Sequence, residues 1–202
     1  VKPYYYQVYL AEHDVVAELA PTERAAVFRL TYPEKEMSYL VVDAYSGGNA
    51  EVIGDRNMIV GYSTANHGGV TENFRNWFVV VSDTPFETQT VDGHIAMVGF
   101  KTVKGQKVNL KVASSFISQE QAELNLNELS GRSFDEIAEA GRARWNEVLG
   151  RIAVEDDNLD NLRTFYSCLY RSVLFPRDLS EINADGERVH YSPYDGAVHK
   201  GY

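Results

Sequence analysis

Residues 133–178 read SFDEIAEAGRARWNEVLGRIAVEDDNLDNLRTFYSCLYRSVLFPRD and decide how the rest of the chain is interpreted. Ser133 and Glu136 fit a capping box, in which each side chain bonds a backbone N–H left free at a helix start. Apolar residues then recur at the spacing of one helical face, at Phe134, Ile137, Ala138, Trp145, Val148, Leu149 and Ile152. The pattern predicts an amphipathic helix that begins at Ser133.

A second amphipathic helix is predicted directly after the first, with its start at residues 156–158. Its apolar side carries Leu159, Leu162, Phe165, Tyr166, Leu169 and Val173. Pro176 is expected to stop it, because proline has no N–H and disfavours helix in the residue before it. The single cysteine, Cys168, rules out an internal disulfide framework, and we expect it to be a buried apolar residue. The remainder, up to Gly196, reads as irregular and rich in aromatic residues.

In the chain before these helices, apolar residues recur at every second position, as in a strand, rather than every 3.6 positions, as in a helix. Strands are predicted at residues 4–11, 15–20, 23–32, 37–45, 51–53, 58–64, 77–83, 95–102 and 108–116. Short strands with glycine, asparagine and proline between them, and no intervening helix, indicate an antiparallel β-sandwich. Ser118 and Gln121 could cap a short connecting helix. We therefore expect an α+β multidomain chain.

The expected domains are three. Residues 1–117 form the β-sandwich, whose opening is expected to lie before Val1. Residues 118–153 form a helical linker, and residues 154–202 begin a helical domain. Because the first residue is valine rather than methionine, a fragment or a processed chain is expected. The apolar sides of the two helices are then expected to pack against polypeptide outside these residues.

Composition narrows the classes of partner. The net charge of −10 and the pI near 5.0 argue against nucleic acid or an anionic membrane surface as the main partner. No apolar run is long enough to cross a membrane. Neutral ligands such as sugars remain open. The 13 tyrosines suit either sheet cores, the commoner use, or stacking on carbohydrate.

Residue spacing alone gives no catalytic centre. Hydrolysis of a glycosidic bond needs two carboxyl groups on either side of that bond, and no acidic pair here has a spacing that supports this role. The five histidines, His13, His67, His94, His190 and His199, show no i, i+4 pair, so zinc is not expected. Residues 183–186, NADG, read as a hairpin turn rather than a calcium loop, although Asp178, Glu181, Asp185 and Glu187 surround them. No metal ligand is predicted in this segment.

Two segments are candidates for binding a ligand. Residues 65–77, ANHGGVTENFRNW, combine glycines that allow close approach of backbone with His67, Arg75 and Trp77, which offer hydrogen bonds and a stacking plane. In the alternative interpretation Trp77 starts a core strand and His67 merely lies in a long loop. Residues 190–202, HYSPYDGAVHKGY, are similarly rich in tyrosine and histidine, and Tyr202 is the candidate there. Packing is the alternative for this segment too.

The order of several segments resembles glycoside hydrolase family 92. These segments are YYQVYL, FRLTYP, VSDTPFE, SSFISQEQAELNLNEL, WNEVLGRIAVE and FYSCLYRSVLFPRDLSEINADGERVHYSPYDG, and FYSCLYR with the following PRDL is the most specific part. The resemblance covers almost the whole chain. It implies an N-terminal β-sandwich, a helical linker and the first part of an (α/α)6 catalytic barrel.

The resemblance also implies an activity. Members of the family are calcium-dependent exo-acting α-mannosidases that invert the anomeric centre, using a glutamate as general acid and an aspartate as general base. Both groups and the calcium ligands are expected beyond Tyr202, so no catalytic residue is assigned within this segment, which alone would be inactive. The implied enzyme is secreted or periplasmic, and its partners are α-mannoside glycans (N-glycans or mannans) and the rest of its own polypeptide.

Two other interpretations remain open at this point. One is a non-catalytic carbohydrate-binding or structural β-sandwich module with a helical extension. The other is a different sugar enzyme built from a sandwich and a helical barrel, such as a disaccharide phosphorylase.

Overall fold

The first half of the chain is a β-sandwich in a computed structural model that describes residues 2–202. Its strands are β1 (Tyr6–Leu10), β2 (Val15–Pro21), β3 (Ala25–Tyr32), β4 (Lys35–Asp43), β5 (Asn49–Ile53), β6 (Met58–Ser63), β7 (Asn76–Ser82), β8 (Thr88–Asp92), β9 (Ile95–Thr102) and β10 (Gln106–Ser115). A seven-stranded sheet has the order β1-β2-β3-β10-β7-β6-β5, and a three-stranded sheet has the order β4-β9-β8. All neighbouring strands are antiparallel, so the predicted sandwich is confirmed.

Strand β8 was not predicted from the sequence. Its five residues, TQTVD, are all exposed and lack the apolar alternation that marks a half-buried strand. It forms at the edge of the small sheet because its backbone pairs in register with β9 from Thr88 to Asp92. The nine predicted strands are confirmed, with ends that differ from the predicted ones by at most two residues.

The seven-stranded sheet is covered on both faces. One face packs against the small sheet, in a core that includes Val15, Leu30, Tyr32, Ile59, Val80, Ala96, Val98, Phe100, Val108 and Leu110. Its other face packs against the linker, in a second core that includes Ala20, Val27, Met58, Val79, Ala113, Ala122, Leu129, Phe134 and Ile137. The sandwich and the linker therefore form one packed unit.

Tyr32 gives the first core a measurable pH dependence. Its ring meets Phe100 edge to face at 5.4 Å, and burial raises the pKa of its hydroxyl from 10.0 to about 12. A group whose folded pKa is raised contributes its full stability below the unfolded pKa of 10 and loses it as the pH rises towards 12.

Tyr32→Phe is therefore expected to flatten the alkaline loss of stability. Between pH 9 and pH 12 the wild type should lose about 2 kcal/mol more of its free energy of unfolding than the variant. Urea denaturation at several alkaline pH values measures the difference. Parallel curves for the two proteins would show that the Tyr32 proton makes no such contribution.

The linker contains the two helix starts that the sequence predicted. Helix α1 (Gln119–Asn125) begins where the Ser118 hydroxyl accepts a hydrogen bond from the backbone N–H of Gln121, and a 3₁₀ turn (Leu126–Leu129) follows it. Helix α2 (Phe134–Leu149) begins with the complete capping box of Ser133 and Glu136. Both caps are confirmed.

Arg29 fastens the first turn of α2 to the sheet. Its guanidinium donates to both carboxylate oxygens of Glu18, at 2.7 and 2.8 Å, and to Asp135 at 3.0 Å. It also lies 4.0 Å over the Phe134 ring, and the Tyr5 hydroxyl completes the cluster by donating to Glu18 at 2.8 Å. This cluster holds α2 at a fixed position on the sandwich.

Helix α3 (Leu159–Ser172) is much less covered. It starts at the predicted place, capped by Asn158, and ends before Pro176, but none of its residues is buried, and Leu159 is 56% exposed. The Trp145 and Tyr170 rings, 4.9 Å apart, connect it to α2. The prediction that Cys168 is buried is wrong, since its side chain is exposed on α3. No helix within residues 2–202 is both long and apolar enough to span a membrane.

A third sheet follows α3, where an irregular segment was expected. Strands β11 (Glu181–Ile182), β12 (Arg188–Tyr191) and β13 (Val198–Lys200) pair antiparallel in that order. The strands are too short to show a period in the sequence. The predicted hairpin turn at residues 183–186 is confirmed, because Asn183 Oδ1 accepts from the backbone N–H groups of Asp185 and Glu187.

Candidate functional site

The third sheet meets the sandwich and α1 along a contact surface that we call the seam. The Glu181 carboxylate is central to it and only 3% of that residue is exposed. One oxygen accepts from the backbone N–H of Phe116 at 3.0 Å, and the other accepts from Asn125 Nδ2 at 2.7 Å. Strand β11 is thereby bound both to the end of β10 and to α1.

Further hydrogen bonds cross the seam and join the third sheet to the sandwich and to α1. Gln121 Nε2 donates to the Ile182 carbonyl at 2.8 Å, and Asn125 Nδ2 also donates to the Ser114 carbonyl at 2.9 Å. Arg24 Nε donates to the Ser180 carbonyl at 2.6 Å. A buried polar network whose members are paired is rigid, so the seam fixes the third sheet relative to the sandwich.

The two candidate segments, residues 65–77 and 190–202, meet at the end of the seam where β12 and the turn after it lie. The hydroxyl oxygens of Thr71 and Tyr191 are 2.7 Å apart, and Asn73 Nδ2 donates to the Gly196 carbonyl at 2.8 Å. The Phe74 ring lies beside those of Phe116 and Tyr191, with centroids 5.7 and 6.0 Å away. Residues 65–77 and 190–202 therefore line the same part of the surface.

Arg75 and Trp77 both contact Tyr62. The Trp77 and Tyr62 rings meet at 4.9 Å, and the Arg75 guanidinium lies 5.1 Å over the Tyr62 ring. Arg75 also donates to the carbonyl of Phe74 at 2.7 Å and to that of Glu72 at 3.1 Å. Trp77 packs against the second core, as the alternative interpretation expected. Both side chains thus support the shape of the loop from within.

His67 lies apart from these two residues, at the exposed tip of the loop. Asn66 Oδ1 accepts from the backbone N–H of Gly68 and closes a turn there. Gly68 and Gly69 adopt φ of 91° and 79°, which glycine adopts without strain. No atom lies within 4 Å of where a Cβ would stand at either position, so the tip is open to a ligand.

Tyr202 is 85% exposed and is supported from one side only. The Arg188 guanidinium lies 4.6 Å from the centre of its ring, and Asp178 and the Ser180 hydroxyl, each 2.7 Å away, hold that guanidinium in place. The opposite side of the ring remains available for stacking. The structure shows no contact between Tyr202 and the other three candidates among residues 2–202, so the four do not form one cluster.

Asp195 is the strongest electrostatic feature of the tail. The backbone N–H of Ala197 and then the ring of His199, 2.8 Å away, lower the pKa of its carboxyl to about 2. The group is therefore a carboxylate at any physiological pH and holds the His199 imidazole in place. The rings of His199 and His190 face each other across β12 and β13 at 5.8 Å.

An apolar cavity of about 630 Å³ lies elsewhere, between the two sheets of the sandwich. Hydrocarbon and aromatic side chains such as Phe28, Leu40 and Val112 line most of it. Its polar lining residues, such as His13, Lys35 and Ser38, are few beside the apolar ones, so the seam is the better candidate site for a sugar.

Comparison with known proteins identifies the family. The sequence pattern of the glycosyl hydrolase family 92 N-terminal domain matches residues 1–127, and that of the family's catalytic domain matches residues 121–202. The chain belongs to glycosyl hydrolase family 92. The resemblance based on the segments from YYQVYL to PRDL is thus confirmed.

Solved GH92 structures share the whole architecture. The chain is 38% identical to an inverting mannosidase of family GH92 from Bacteroides thetaiotaomicron VPI-5482, with a TM-score of 0.93 over 100% of this chain and 30% of that one. A GH92 α-mannosidase from Bacteroides thetaiotaomicron is 25% identical, with a TM-score of 0.81 over 99% of this chain and 30% of its own. The present chain thus spans less than a third of either protein.

A fungal relative adds one more match. An uncharacterized secreted glycosidase of Arthroderma benhamiae (strain ATCC MYA-4681 / CBS 112371) is 32% identical in an alignment of 82 residues that covers 38% of this chain and 11% of that protein.

The acidic side chains around the third sheet do not fit a calcium site. Within residues 2–202, no three side chains of His, Cys, Asp or Glu come together where they could hold a metal ion. The oxygens of Asp178, for example, accept from Ser180 and Arg188. Asp185 lies in the exposed hairpin turn.

Sequence reasoning missed the residues that join the GH92 sandwich to the tail. Thr71 and Asn73 lie in the candidate loop but belong to no motif, and an isolated threonine or asparagine in a loop is ordinarily solvated. Glu181 resembled a surface acid beside a turn. The signals that were available, the turn at residues 183–186 and the aromatic residues of the tail, indicate local structure only.

Proposed function

We propose that this GH92 chain is part of an enzyme that releases mannose from α-mannosides of the N-glycan or mannan type, with the residues described here shaping the entrance to the sugar pocket. The observation that carries the proposal is the contact between loop 65–77 and tail 190–202, which places two aromatic and polar segments side by side at the seam. The names of the GH92 relatives, an inverting mannosidase and an α-mannosidase, support the substrate class.

We assign the four candidate residues different parts in sugar binding. Tyr202 offers a stacking face, since one side of its ring rests on Arg188 and the other is open. His67 offers ring nitrogens at the exposed tip of the loop. Arg75 and Trp77 hold the loop against Tyr62 and so support the position of His67.

The chemical groups of the reaction are assigned to the rest of the polypeptide. An inverting glycosidase needs a general acid and a general base about 6.5 to 9.5 Å apart, so that a water molecule fits between the base and the sugar. We place both carboxyls and the calcium ligands beyond Tyr202, where calcium would bind hydroxyls of the sugar. We also propose domains at residues 1–117, 118–153 and 154–202. A secreted or periplasmic location is supported by the relative named a secreted glycosidase.

The test is mannose release by the full-length protein. We expect it to free mannose from an α-linked mannobiose, to give the β-anomer first by NMR, and to lose activity with a calcium chelator and regain it with added calcium. Binding of the glycan without turnover would contradict the proposal and favour a non-catalytic carbohydrate-binding module.

Tyr202→Ala tests whether Tyr202 binds the sugar, separately from the chemical step. Loss of a stacking face of this kind is expected to raise KM for the mannoside about three- to tenfold, with kcat nearly unchanged. An unchanged KM in a correctly folded variant would remove Tyr202 from the binding site.

A further inference from the structure

We propose that Thr71 and Asn73 are positioning residues, which set the orientation of Tyr202 through the turn of the tail and so control the affinity of the enzyme for its glycan. We call Thr71, Asn73, Tyr191 and Gly196 the latch. The inference rests on the proposed function, in which Tyr202 stacks on the sugar.

The Asn73 amide is held at both of its ends. Its Oδ1 accepts from the Thr71 hydroxyl at 2.6 Å and lies 3.3 Å from the Tyr191 hydroxyl. Its Nδ2 donates to the Gly196 carbonyl at 2.8 Å. Because an amide is planar, partners at both ends fix its orientation. One side chain of the sandwich therefore grips both β12 and the turn that follows it.

Gly196 packs closely against the side chains of Asn73 and Thr71. Its φ is 72°, and a Cβ there would collide with Asn73 Oδ1 and stand 2.8 Å from Thr71 Oγ1. Only a residue without a side chain allows this approach. The contact is thus a close fit between two parts of the chain 123 residues apart in sequence.

The turn in the latch carries the residues that precede Tyr202. The backbone N–H of Ser192 donates to the Ala197 carbonyl, and that of Gly196 donates to the Ser192 carbonyl, so the turn is one closed unit. Asp195 within it holds His199 of β13 at 2.8 Å. Strand β13 ends at Lys200, two residues before Tyr202. A displaced turn would therefore shift β13, and with it the Tyr202 ring relative to the Arg188 guanidinium, which Asp178 and Ser180 keep in place.

The latch and Glu181 hold different ends of the third sheet. Glu181 fixes β11, which is the strand farther from β13, while the latch fixes the β12–β13 turn. Loss of the latch should consequently loosen residues 192–202 and leave β11 in place. This separation makes a local effect on the tail distinguishable from a general loss of folding.

The experiment compares Asn73→Ala with Tyr202→Ala and with the double variant in the full-length protein. Asn73→Ala is expected to raise KM about three- to tenfold with kcat within about twofold, as Tyr202→Ala does. In the Tyr202→Ala background, Asn73→Ala should have no further effect on KM, because both act through the same ring. Asn109→Ala is the matched control, since Asn109 Nδ2 donates to Asp83 at 2.7 Å on an exposed part of the sandwich away from the seam.

Hydrogen exchange provides a readout that does not depend on activity. Asn73→Ala should speed exchange at residues 192–202 and leave residues 181–182 unchanged, while Asn109→Ala changes neither. Unchanged exchange at 192–202 would overturn the latch, even if the wild type released no mannose and the proposed function had failed. KM effects that multiply in the double variant would also overturn it. If Asn73→Ala does not fold, Thr71→Val, which removes one hydroxyl of the latch, is measured instead.

Discussion

Asn125→Leu is expected to lower the free energy of unfolding by about 2 to 4 kcal/mol, because it leaves a buried carboxylate short of a hydrogen-bond donor. Leucine has the same branching at Cγ as asparagine but carries methyl groups and no N–H group. Glu181 would retain only the backbone N–H of Phe116, and the Ser114 carbonyl would lose the amide that it accepts from. Asn125 and Glu181 are both buried, so water does not readily replace the lost donor.

Urea denaturation at pH 7 measures this loss, and Asn127→Leu is its control. Asn127 is exposed and lies two residues further along the same turn, so its replacement should change the free energy of unfolding by less than about 0.5 kcal/mol. Adding Glu181→Leu to Asn125→Leu should recover part of the loss, since replacing both partners by apolar groups can be nearly neutral. A loss below about 1 kcal/mol for Asn125→Leu would mean that the carboxylate finds another partner.

The effect of Asn125→Leu also tests the rigidity of the seam, because the Asn125 side chain joins three parts of the chain. It connects α1, the end of β10 and β11, so its removal should loosen the seam as a whole. The latch variants, in contrast, should affect the tail alone. The two kinds of variant together would distinguish a rigid seam from one in which only the tail is mobile.

The sequence predicted those strands and helices that bury one face, because their apolar residues recur at a regular spacing. Strand β9 buries every second residue, Ala96, Val98, Phe100 and Thr102, and its position follows from that alternation. The caps at Ser118 and Ser133 were predictable because each involves residues three apart. Strand β8 has no buried face, and β11 has two residues, so neither produces a period. These elements form because a neighbouring strand supplies hydrogen bonds, which the local sequence does not encode.

The candidate site was predictable only as two separate segments. The loop and the tail stand out through glycine, histidine and aromatic content, but the contact between Thr71 and Tyr191 joins residues 120 apart. Such a contact follows from the packing of the third sheet on the sandwich, which in turn depends on the buried Glu181. The same limit explains Cys168, because a helical period shows which residues share a face and not whether that face is covered.

Helix α3 is a second example of this limit, because the sequence predicts the helix but not what covers it. Its cap, its length and its apolar face follow the sequence, yet no residue of it is buried among residues 2–202. The solved GH92 structures are more than three times as long as this chain, which covers 30% of each. The expectation that the apolar face of α3 packs against polypeptide outside these residues stays a prediction.

Phe100→Ala is expected to have the largest effect of any single substitution considered, a loss of about 3 to 5 kcal/mol in the free energy of unfolding. Phe100 is 1% exposed in the core between the two sheets, and its ring meets Tyr32 edge to face at 5.4 Å. Alanine would remove the ring, and the two paired sheets around it cannot collapse fully into the space. The cost therefore includes both the lost burial and the cavity that remains.

Val103→Ala is the control for Phe100→Ala, since Val103 is three residues further along and 60% exposed, and its loss should stay below about 0.5 kcal/mol. The Phe100 core lies on the face of the seven-stranded sheet opposite to the linker, away from the seam. KM of the folded enzyme for a mannoside should therefore remain within about twofold of the wild type, although the Tm falls by several degrees. A rise in KM like that expected for Asn73→Ala would contradict this prediction. It would show that a change in the sandwich core reaches the tail across the seam.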